Sequence, residues 1–238
     1  MIRKMIFGEE NSNVATSYNN LGGVYQALGH YNEAREYHER ALIITKKIFG
    51  EEHANVATMY DNLGKVYQAL GHYTEAKEYH EKALIIRKNI FGEEHANVAG
   101  SFNNLGNVYQ ALGQYNEAKE NHEKALIIKK NTFGEEHADI GTSYNNLGNL
   151  YQALGQYNKA IEYHEKALFI RKKIFGEVHV AVARSYNNLA NVYQALKQCS
   201  KGDECLKNVR ETLKLCNQTR KTESTSLGSS KLPRLENC

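Results

Sequence analysis

The sequence repeats almost unchanged every 42 residues. A Phe-Gly dipeptide marks this period at Phe7-Gly8, Phe49-Gly50, Phe91-Gly92, Phe133-Gly134 and Phe175-Gly176. A fixed period of about 20 to 50 residues is typical of arrays in which similar units stack on one another. Each unit carries an apolar face that only its neighbour can bury, so such arrays present one long continuous surface. That surface is suited to binding other molecules and does not provide an enclosed catalytic pocket.

Each unit carries two helical patterns separated by a short break. The apolar stripe of the first segment has helical spacing and consists of Val14, Tyr18, Leu21, Tyr25 and Leu28. Gly29 follows the stripe, and glycine is typical of the left-handed position just past the end of a helix. A second helix is predicted after this break, with Asn32 as its N-cap because asparagine is a strong N-cap residue. The sequence therefore predicts a succession of helix pairs.

Small residues recur at fixed positions within the predicted helices. Glycine inside a helix costs about 1 kcal/mol relative to alanine, yet it occupies the middle of four first helices, at Gly22, Gly64, Gly106 and Gly148. The fifth unit has Ala190 at this position, so the residue remains small. We expect a second helix to approach closely at each of these positions.

An aromatic residue, a Leu-Gly pair, a tyrosine and two later alanines form a pattern that recurs along the chain. In the third unit the pattern consists of Phe102, Leu105, Gly106, Tyr109, Ala118 and Ala125. It resembles the tetratricopeptide repeat (TPR), whose usual length is about 34 residues. The longer unit found here, with its Phe-Gly-x-x-His connector, resembles the repeats of kinesin light chain and nephrocystin-3.

The resemblance implies an all-α fold, namely a right-handed α–α superhelix (a TPR solenoid) of about five helix-pair repeats. The predicted boundaries are residues 1–12 for the end of a preceding repeat and its connector, 13–50, 51–92, 93–134 and 135–176 for four repeats, 177–216 for a degenerate capping repeat, and 217–238 for a disordered tail. Low apolar content favours disorder in that tail. Because the repeat pattern is already under way at Met1, we expect a fragment of a longer array or the product of a truncated gene.

Composition and charge argue against several other classes of protein. The net charge is only +3, and the basic residues are interspersed with glutamates, so no basic stripe for nucleic acid is expected. The apolar runs are too short for a secretory signal or a membrane-spanning helix. The cysteines match neither a zinc motif nor a disulfide framework, and they are Cys199, Cys205, Cys216 and Cys238. We therefore predict a cytoplasmic protein with no membrane or nucleic-acid partner.

The ten histidines recur one by one along the array. Histidines one repeat apart lie too far from each other to share a metal ion, whose bonds are about 2 Å long, so a structural role is expected for them. Catalysis needs different reactive groups at one place, whereas each polar group of this chain is copied along a line. The sequence therefore predicts no enzyme, no catalytic residue, no cofactor and no metal site.

Amide side chains form a ladder along the first helices. In tetratricopeptide folds the first helices line a concave groove, so the resemblance places these amides in a peptide-binding groove. An amide offers both a hydrogen-bond donor and an acceptor, which suits the backbone of an extended peptide. The predicted groove residues are Asn20, Asn62, Asn104, Asn146 and Asn188, the adjacent Asn103 and Asn145, and, one turn later, Asn107, Asn149, Gln110 and Gln152.

The function predicted from these features is that of a non-enzymatic interaction module or scaffold. It would bind a peptide segment of a partner protein in its groove, and the resemblance implies adaptor work of the kinesin light chain or ciliary type. One alternative is a structural array that self-associates through its N-terminal edge. A second is RNA binding, which the nearly neutral charge opposes. The repeated asparagines could also reflect only the duplication of one unit, and the oligomeric state stays open.

Overall fold

The structure is a computed structural model that describes residues 11–228, with side chains described as far as residue 218. Over this range the chain forms ten α-helices and no β-strand. The helices are α1 (Ser12–Ala27), α2 (Tyr31–Phe49), α3 (Ala54–Ala69), α4 (Tyr73–Phe91), α5 (Ala96–Ala111), α6 (Tyr115–Phe133), α7 (Ala138–Ala153), α8 (Tyr157–Phe175), α9 (Val180–Ala195) and α10 (Cys199–Gly228). The prediction of an all-α array of five helix pairs is confirmed.

The chain divides into two compact units. Unit 1 ends at Gly134 and contains the helix pairs α1–α2, α3–α4 and α5–α6. Unit 2 begins at Glu135 and contains the pairs α7–α8 and α9–α10. Within each unit, the two helices of a pair pack on each other, and each second helix also packs on the first helix of the next pair. The division falls in the connector between α6 and α7.

The core of each unit lies between these stacked helices. Its apolar residues include the wholly buried Leu63 and Val66 of α3 and the wholly buried Ala76 and Ala83 of α4. The alanines keep the second helix close to the first, so each pair excludes water along its length. No helix in the described part of the chain is long and apolar enough to cross a membrane.

A histidine in the connector before each of α3, α5, α7 and α9 is the N-cap of that helix. The backbone N–H of Asn55 donates a hydrogen bond of 3.1 Å to Nδ1 of His53, which is the N-cap of α3. Corresponding caps of α5, α7 and α9 are His95, His137 and His179. The His53 ring also stacks on Phe49, with 4.6 Å between the ring centroids. The histidine therefore supplies the acceptor that the orphan N–H groups of a helix start require.

The second helices begin two residues earlier than predicted. Helix α2 starts at Tyr31, its N-cap is His30, and no side chain caps it. The prediction of Asn32 as the N-cap is therefore wrong. Gly29 adopts the expected left-handed conformation, with φ of 80°, and the N–H of His30 then closes the turn on the carbonyl of Tyr25 at 2.9 Å. This tight turn brings the next residue directly into the new helix.

The last helix is longer than the sequence indicates. Helix α10 includes the predicted capping segment and continues to Gly228, so residues 217–228 are helical where disorder was predicted. Once a packed first half has nucleated a helix, each further residue adds a backbone hydrogen bond at little cost. The predictions for residues 1–10 and 229–238 lie outside the described residues.

Candidate functional site

Buried histidines lie directly beneath the mid-helix glycines. A β-carbon placed on Gly106 would be 2.6 Å from the ring of His122, which is less than van der Waals contact. The same arrangement joins Gly22 to His38, Gly64 to His80 and Gly148 to His164. All four histidines are 0–1% exposed. The close approach predicted from the glycines is therefore confirmed, and its cause is an imidazole ring packed flat against the helix backbone.

The fifth pair replaces both partners of this contact. Ala190 stands at the glycine position, and Leu206 stands at the histidine position. Leu206 packs against the cluster that contains Ala190 and Leu189. An aliphatic side chain thus accommodates the extra methyl group that the flat ring of a histidine would meet.

One row of polar side chains on the first helices binds His38, His80 and His122, whereas neither ring nitrogen of His164 has a hydrogen-bond partner among the described residues. Nδ1 of His38 donates to Oδ1 of Asn19 at 3.1 Å, and Nδ1 of His122 donates to Oδ1 of Asn103 at 3.2 Å. The other ring nitrogen, Nε2, has no partner in either residue. With the hydrogen on Nδ1, Nε2 is a bare acceptor, so the neutral tautomer leaves no donor unsatisfied. The predicted groove residue Asn103 is only 8% exposed and serves this internal contact.

A second row of amides links neighbouring helix pairs. Nδ2 of Asn62 donates to Oδ1 of Asn19 at 2.8 Å, and Nδ2 of Asn104 donates to Oδ1 of Asp61 at 3.3 Å. Asn188 donates in the same way to Asn145. Part of the hydrogen-bonding capacity of these predicted groove residues is therefore used to hold successive first helices together.

The remaining predicted residues make no such contacts. The structure gives Asn107 and Gln110 of α5, and Asn149 and Gln152 of α7, no side-chain hydrogen bond within the described residues. Asn149 is exposed and the other three are half-buried. In the same part of the chain, the amides of Asn20 and Asn146 are likewise without an intramolecular hydrogen bond. The ladder thus separates into rows that hydrogen-bond within the array and a row whose side chains make no hydrogen bond to other described residues.

Repeat two contains a charged version of the histidine contact. Asp61, which is 5% exposed, accepts from Nδ1 of His80 at 2.8 Å and from Nη1 of Arg87. Arg87 also donates to Oγ of Ser101 at 2.6 Å and so joins α4 to α5. Burial alone would raise the pKa of Asp61, but the hydrogen bond from His80 and the charge of Arg87 outweigh it and lower that pKa.

Repeat four has the same arginine without the aspartate. Nη1 of Arg171 donates to Oγ of Ser185 at 2.6 Å, and the arginine is 7% exposed. The neutral Asn145 occupies the position of Asp61, and no carboxylate pairs with Arg171 within the described residues. Burial, followed by the charge of Arg184, lowers the pKa of Arg171. Neither arginine was predicted as a functional residue from the sequence, although the Arg–Ser pair recurs with the same spacing.

Because these histidines are buried, we expect acid to lower the stability of the array. Burial, followed by the charges of Lys129 and Arg171, lowers the pKa values of His122 and His164 to about 4. The unfolded chain, with pKa values of about 6.5, binds protons that the folded chain excludes, so stability falls as the pH drops from about 6.5 towards 4. At about pH 5 each histidine should cost about 2 kcal/mol relative to neutral pH. Urea unfolding at the two pH values measures this loss.

A carboxylate beside His122 should reduce this sensitivity. Asn103→Asp would give His122 the acceptor that His80 has in Asp61, and it should retain more of its stability at about pH 5 than the unaltered chain. An unfolding midpoint that is the same at about pH 7 and pH 5 in the unaltered chain would contradict the account.

Stacked helix pairs, close-packed through small residues and carrying a polar row along their first helices, define an α-solenoid of helix-pair repeats. The profile of the tetratricopeptide repeat matches residues 13–89, 56–130, 97–173 and 139–201. The chain belongs to the tetratricopeptide-repeat family. Repeats of this family generally bind protein partners and are usually non-catalytic. None of the curated proteins compared matches the chain significantly.

The solved structures that resemble the chain include kinesin light chain-like TPR proteins. One, from Podosopora anserina, is described as a kinesin light chain with nearly identical TPR-like repeats. It is 32% identical over 86% of this chain and 97% of its own, with a TM-score of 0.69. A variant of that protein with one substitution is 30% identical over 87% and 97%, with a TM-score of 0.71. BtubC (BKLC) from P. vanneervenii shares the fold at 24% identity over 95% and 86%, with a TM-score of 0.71.

Proposed function

We propose that the chain is a non-enzymatic, cytoplasmic interaction module that binds an extended segment of a partner protein along the first helices. The observation that carries this proposal is the row of amides without intramolecular partners. Asn107 and Gln110 are three residues apart on α5, and Asn149 and Gln152 repeat this spacing on α7. Residues three apart on a helix lie on the same face, so each of the two helices presents a pair of amides to a ligand.

The amides would orient the bound segment and would supply part of its binding free energy. A hydrogen bond contributes about 0.5–1.5 kcal/mol net, whereas micromolar affinity requires about 8 kcal/mol. The pair of amides in each unit therefore supplies less than the whole binding free energy, and buried side chains of the partner supply the remainder. The backbone of an extended segment has a donor and an acceptor at almost every residue, which matches the two functions of each amide.

The surroundings of Arg171 favour an acidic residue in the partner segment that unit 2 binds. In unit 1 the corresponding Arg87 has Asp61 as its anionic partner, whereas Arg171 hydrogen-bonds only the neutral Ser185 among the described residues. A buried guanidinium without a carboxylate is costly. A glutamate or aspartate of the partner would lower this cost and would form a charge-assisted hydrogen bond.

A finer proposal concerns the biological process. The Podosopora anserina structure is 32% identical and is described as a kinesin light chain, which supports adaptor work of that type for this chain. A ciliary adaptor function rests only on the resemblance of the 42-residue unit to nephrocystin-3.

The proposal is tested by removing the free amides together. The variant carries Asn107→Ala, Gln110→Ala, Asn149→Ala and Gln152→Ala, and its affinity is measured by calorimetry for a partner first captured with the unaltered chain. We expect affinity to fall at least about tenfold, since a loss of 1.4 kcal/mol has that effect. These side chains make no hydrogen bond within the described residues, so thermal unfolding should change little.

A matched control removes amides from the second helices. Asn89 and Asn131 are exposed on α4 and α6, and their replacement by alanine should leave affinity unchanged. If the fourfold variant binds the partner as tightly as the unaltered chain does, the four replaced amides do not belong to the binding surface and the proposal fails.

A further inference from the structure

Three helix pairs contain a small stack of aromatic rings. In the first pair the ring of Tyr37, on the second helix, stacks on Tyr25 of the first helix, with 5.2 Å between the ring centroids and 10° between the ring planes. The same ring is tilted against Tyr18 of the first helix at 6.0 Å. The second and fourth pairs repeat both contacts through Tyr79 and Tyr163. In each of these pairs a tyrosine of the second helix therefore bridges two rings of the first helix.

The third pair lacks the bridging ring. Asn121 of α6 stands where the other three pairs have the tyrosine, and its Nδ2 donates to the carbonyl of Glu117 in the same helix at 2.8 Å. Phe102 and Tyr109, the two first-helix rings of this pair, stack on no other ring within the described residues. Because an asparagine side chain has no ring, it leaves a space between Phe102, Tyr109 and α6, which we call the aromatic gap.

The lysine beside the aromatic gap has the position of its counterpart in the fourth pair. Nζ of Lys124 is 5.6 Å from the ring centroid of Phe102. In the fourth pair Nζ of Lys166 is 5.8 Å from the centroid of Tyr144, and it also lies over the bridging Tyr163 at 5.1 Å. A ring that entered the aromatic gap would therefore gain the cation–π contact that Tyr163 has.

Both rings of the aromatic gap are held in place by other contacts. The hydroxyl of Tyr109 donates to Oε1 of Glu81 on α4 at 3.4 Å, and Nζ of Lys77 on the same helix is 5.8 Å from the Tyr109 ring centroid. Phe102 is 8% exposed and belongs to the apolar cluster that contains Ile128. An entering ring would thus meet a preformed site, and little affinity would be lost to ordering its surroundings.

We propose that the aromatic gap binds a tyrosine side chain of a partner protein. Three other pairs of the same chain show which group fits this space, because a tyrosine ring occupies it in each of them. Rings with centroids about 4.5–7 Å apart attract each other beyond the effect of the area that they bury. A tyrosine of the partner would make the contacts that Asn121 cannot make.

The aromatic gap is distinct from the row of free amides on the same helix. Successive residues of a helix are turned by about 100°, so Phe102 and Tyr109 share one side of α5, whereas Asn107 and Gln110 lie on another. The inference therefore goes beyond the proposed function, and either can fail without the other.

Titration of the full chain with N-acetyl-tyrosine amide, followed by the NMR signals of the Phe102 and Tyr109 rings, tests the proposal. We expect these signals to shift with a dissociation constant of about 1 mM, since a single side chain supplies little affinity. N-acetyl-leucine amide, which has no ring, should bind at least about tenfold more weakly. Asn121→Tyr should fill the gap with a ring of the chain itself, abolish binding of the tyrosine probe and raise the thermal midpoint by about 2–4 °C.

The matched control is Asn131→Tyr, which adds the same ring at an exposed position of α6. This variant should bind the tyrosine probe as the unaltered chain does and should show no rise in thermal midpoint. The proposal is overturned if the probe leaves the two ring signals unshifted at about ten times the expected dissociation constant. It is also overturned if the leucine probe binds equally well, or if Asn121→Tyr binds the tyrosine probe as tightly as the unaltered chain.

The variant that lacks the four free amides separates the two sites. It should bind N-acetyl-tyrosine amide as the unaltered chain does, because none of the four replaced side chains belongs to the aromatic gap. A failure of the proposed amide surface would therefore leave this result unchanged.

Discussion

Replacement of Gly106 by alanine is expected to lower the free energy of unfolding by about 3 kcal/mol. The new methyl group would lie 2.6 Å from the ring of His122. That ring is 0% exposed and bonded to Asn103, so it cannot move aside without losing packing and its hydrogen bond. Urea unfolding followed by circular dichroism measures the change.

The fifth pair suggests a compensating substitution for this variant. Ala190 and Leu206 occupy the two positions there, so Gly106→Ala/His122→Leu should be more stable than Gly106→Ala alone. Gly100→Ala is the matched control in the same helix, because no atom lies within 4 Å of a β-carbon at Gly100. It should stabilise by up to about 1 kcal/mol through helix propensity. Equal effects of Gly106→Ala and Gly100→Ala would show that the ring contact is not close.

Replacement of Asp61 by alanine is expected to destabilise unit 1 by about 3–5 kcal/mol. The change leaves the guanidinium of Arg87, 13% exposed at its side chain, without its carboxylate, and it removes the acceptor for His80. An uncompensated buried charge is far more costly than the loss of an exposed ion pair. Chemical unfolding at neutral pH measures the effect.

Asp61→Asn provides the graded control. Asn19 and Asn103 occupy this position in other repeats and accept a hydrogen bond from His38 and His122, so asparagine fits the site and can still accept from His80. Asp61→Asn should lower the free energy of unfolding less than Asp61→Ala does, although both variants remove the negative charge. If alanine and asparagine destabilise equally, the acceptor oxygen contributes little; if neither destabilises, the triad of Asp61, His80 and Arg87 has no structural role.

The helix pairs could be predicted because their causes lie close together in sequence. Apolar spacing defines each helix, and Gly29 and its counterparts define the break between the two helices of a pair. The mid-helix glycines predicted a close approach for a similar reason, since only tight packing explains their cost. The histidine that fills the approach was assigned a structural role without its partner, because the contact spans sixteen residues, from Gly106 to His122.

The 42-residue period does not reveal which amides of the ladder are used inside the array. The positions of Asn103, Asn104 and Asn107 recur with the same 42-residue spacing, yet Asn103 binds a buried histidine, Asn104 links helix pairs, and Asn107 has no side-chain hydrogen bond within the described residues. Their roles depend on about one ångström of distance between side chains of different helices, which decides whether a hydrogen bond forms. The cap at His53 was missed because histidine is not among the preferred N-cap residues.

Photo-cross-linking tests most directly whether a partner segment lies along the amide face. A benzophenone side chain at Asn149, an exposed residue of α7, is compared with the same group at Asn131, an exposed residue of α6. The account predicts that the captured partner cross-links at position 149 and not at position 131. Cross-linking at position 131 alone would place the partner on the second helices and contradict it.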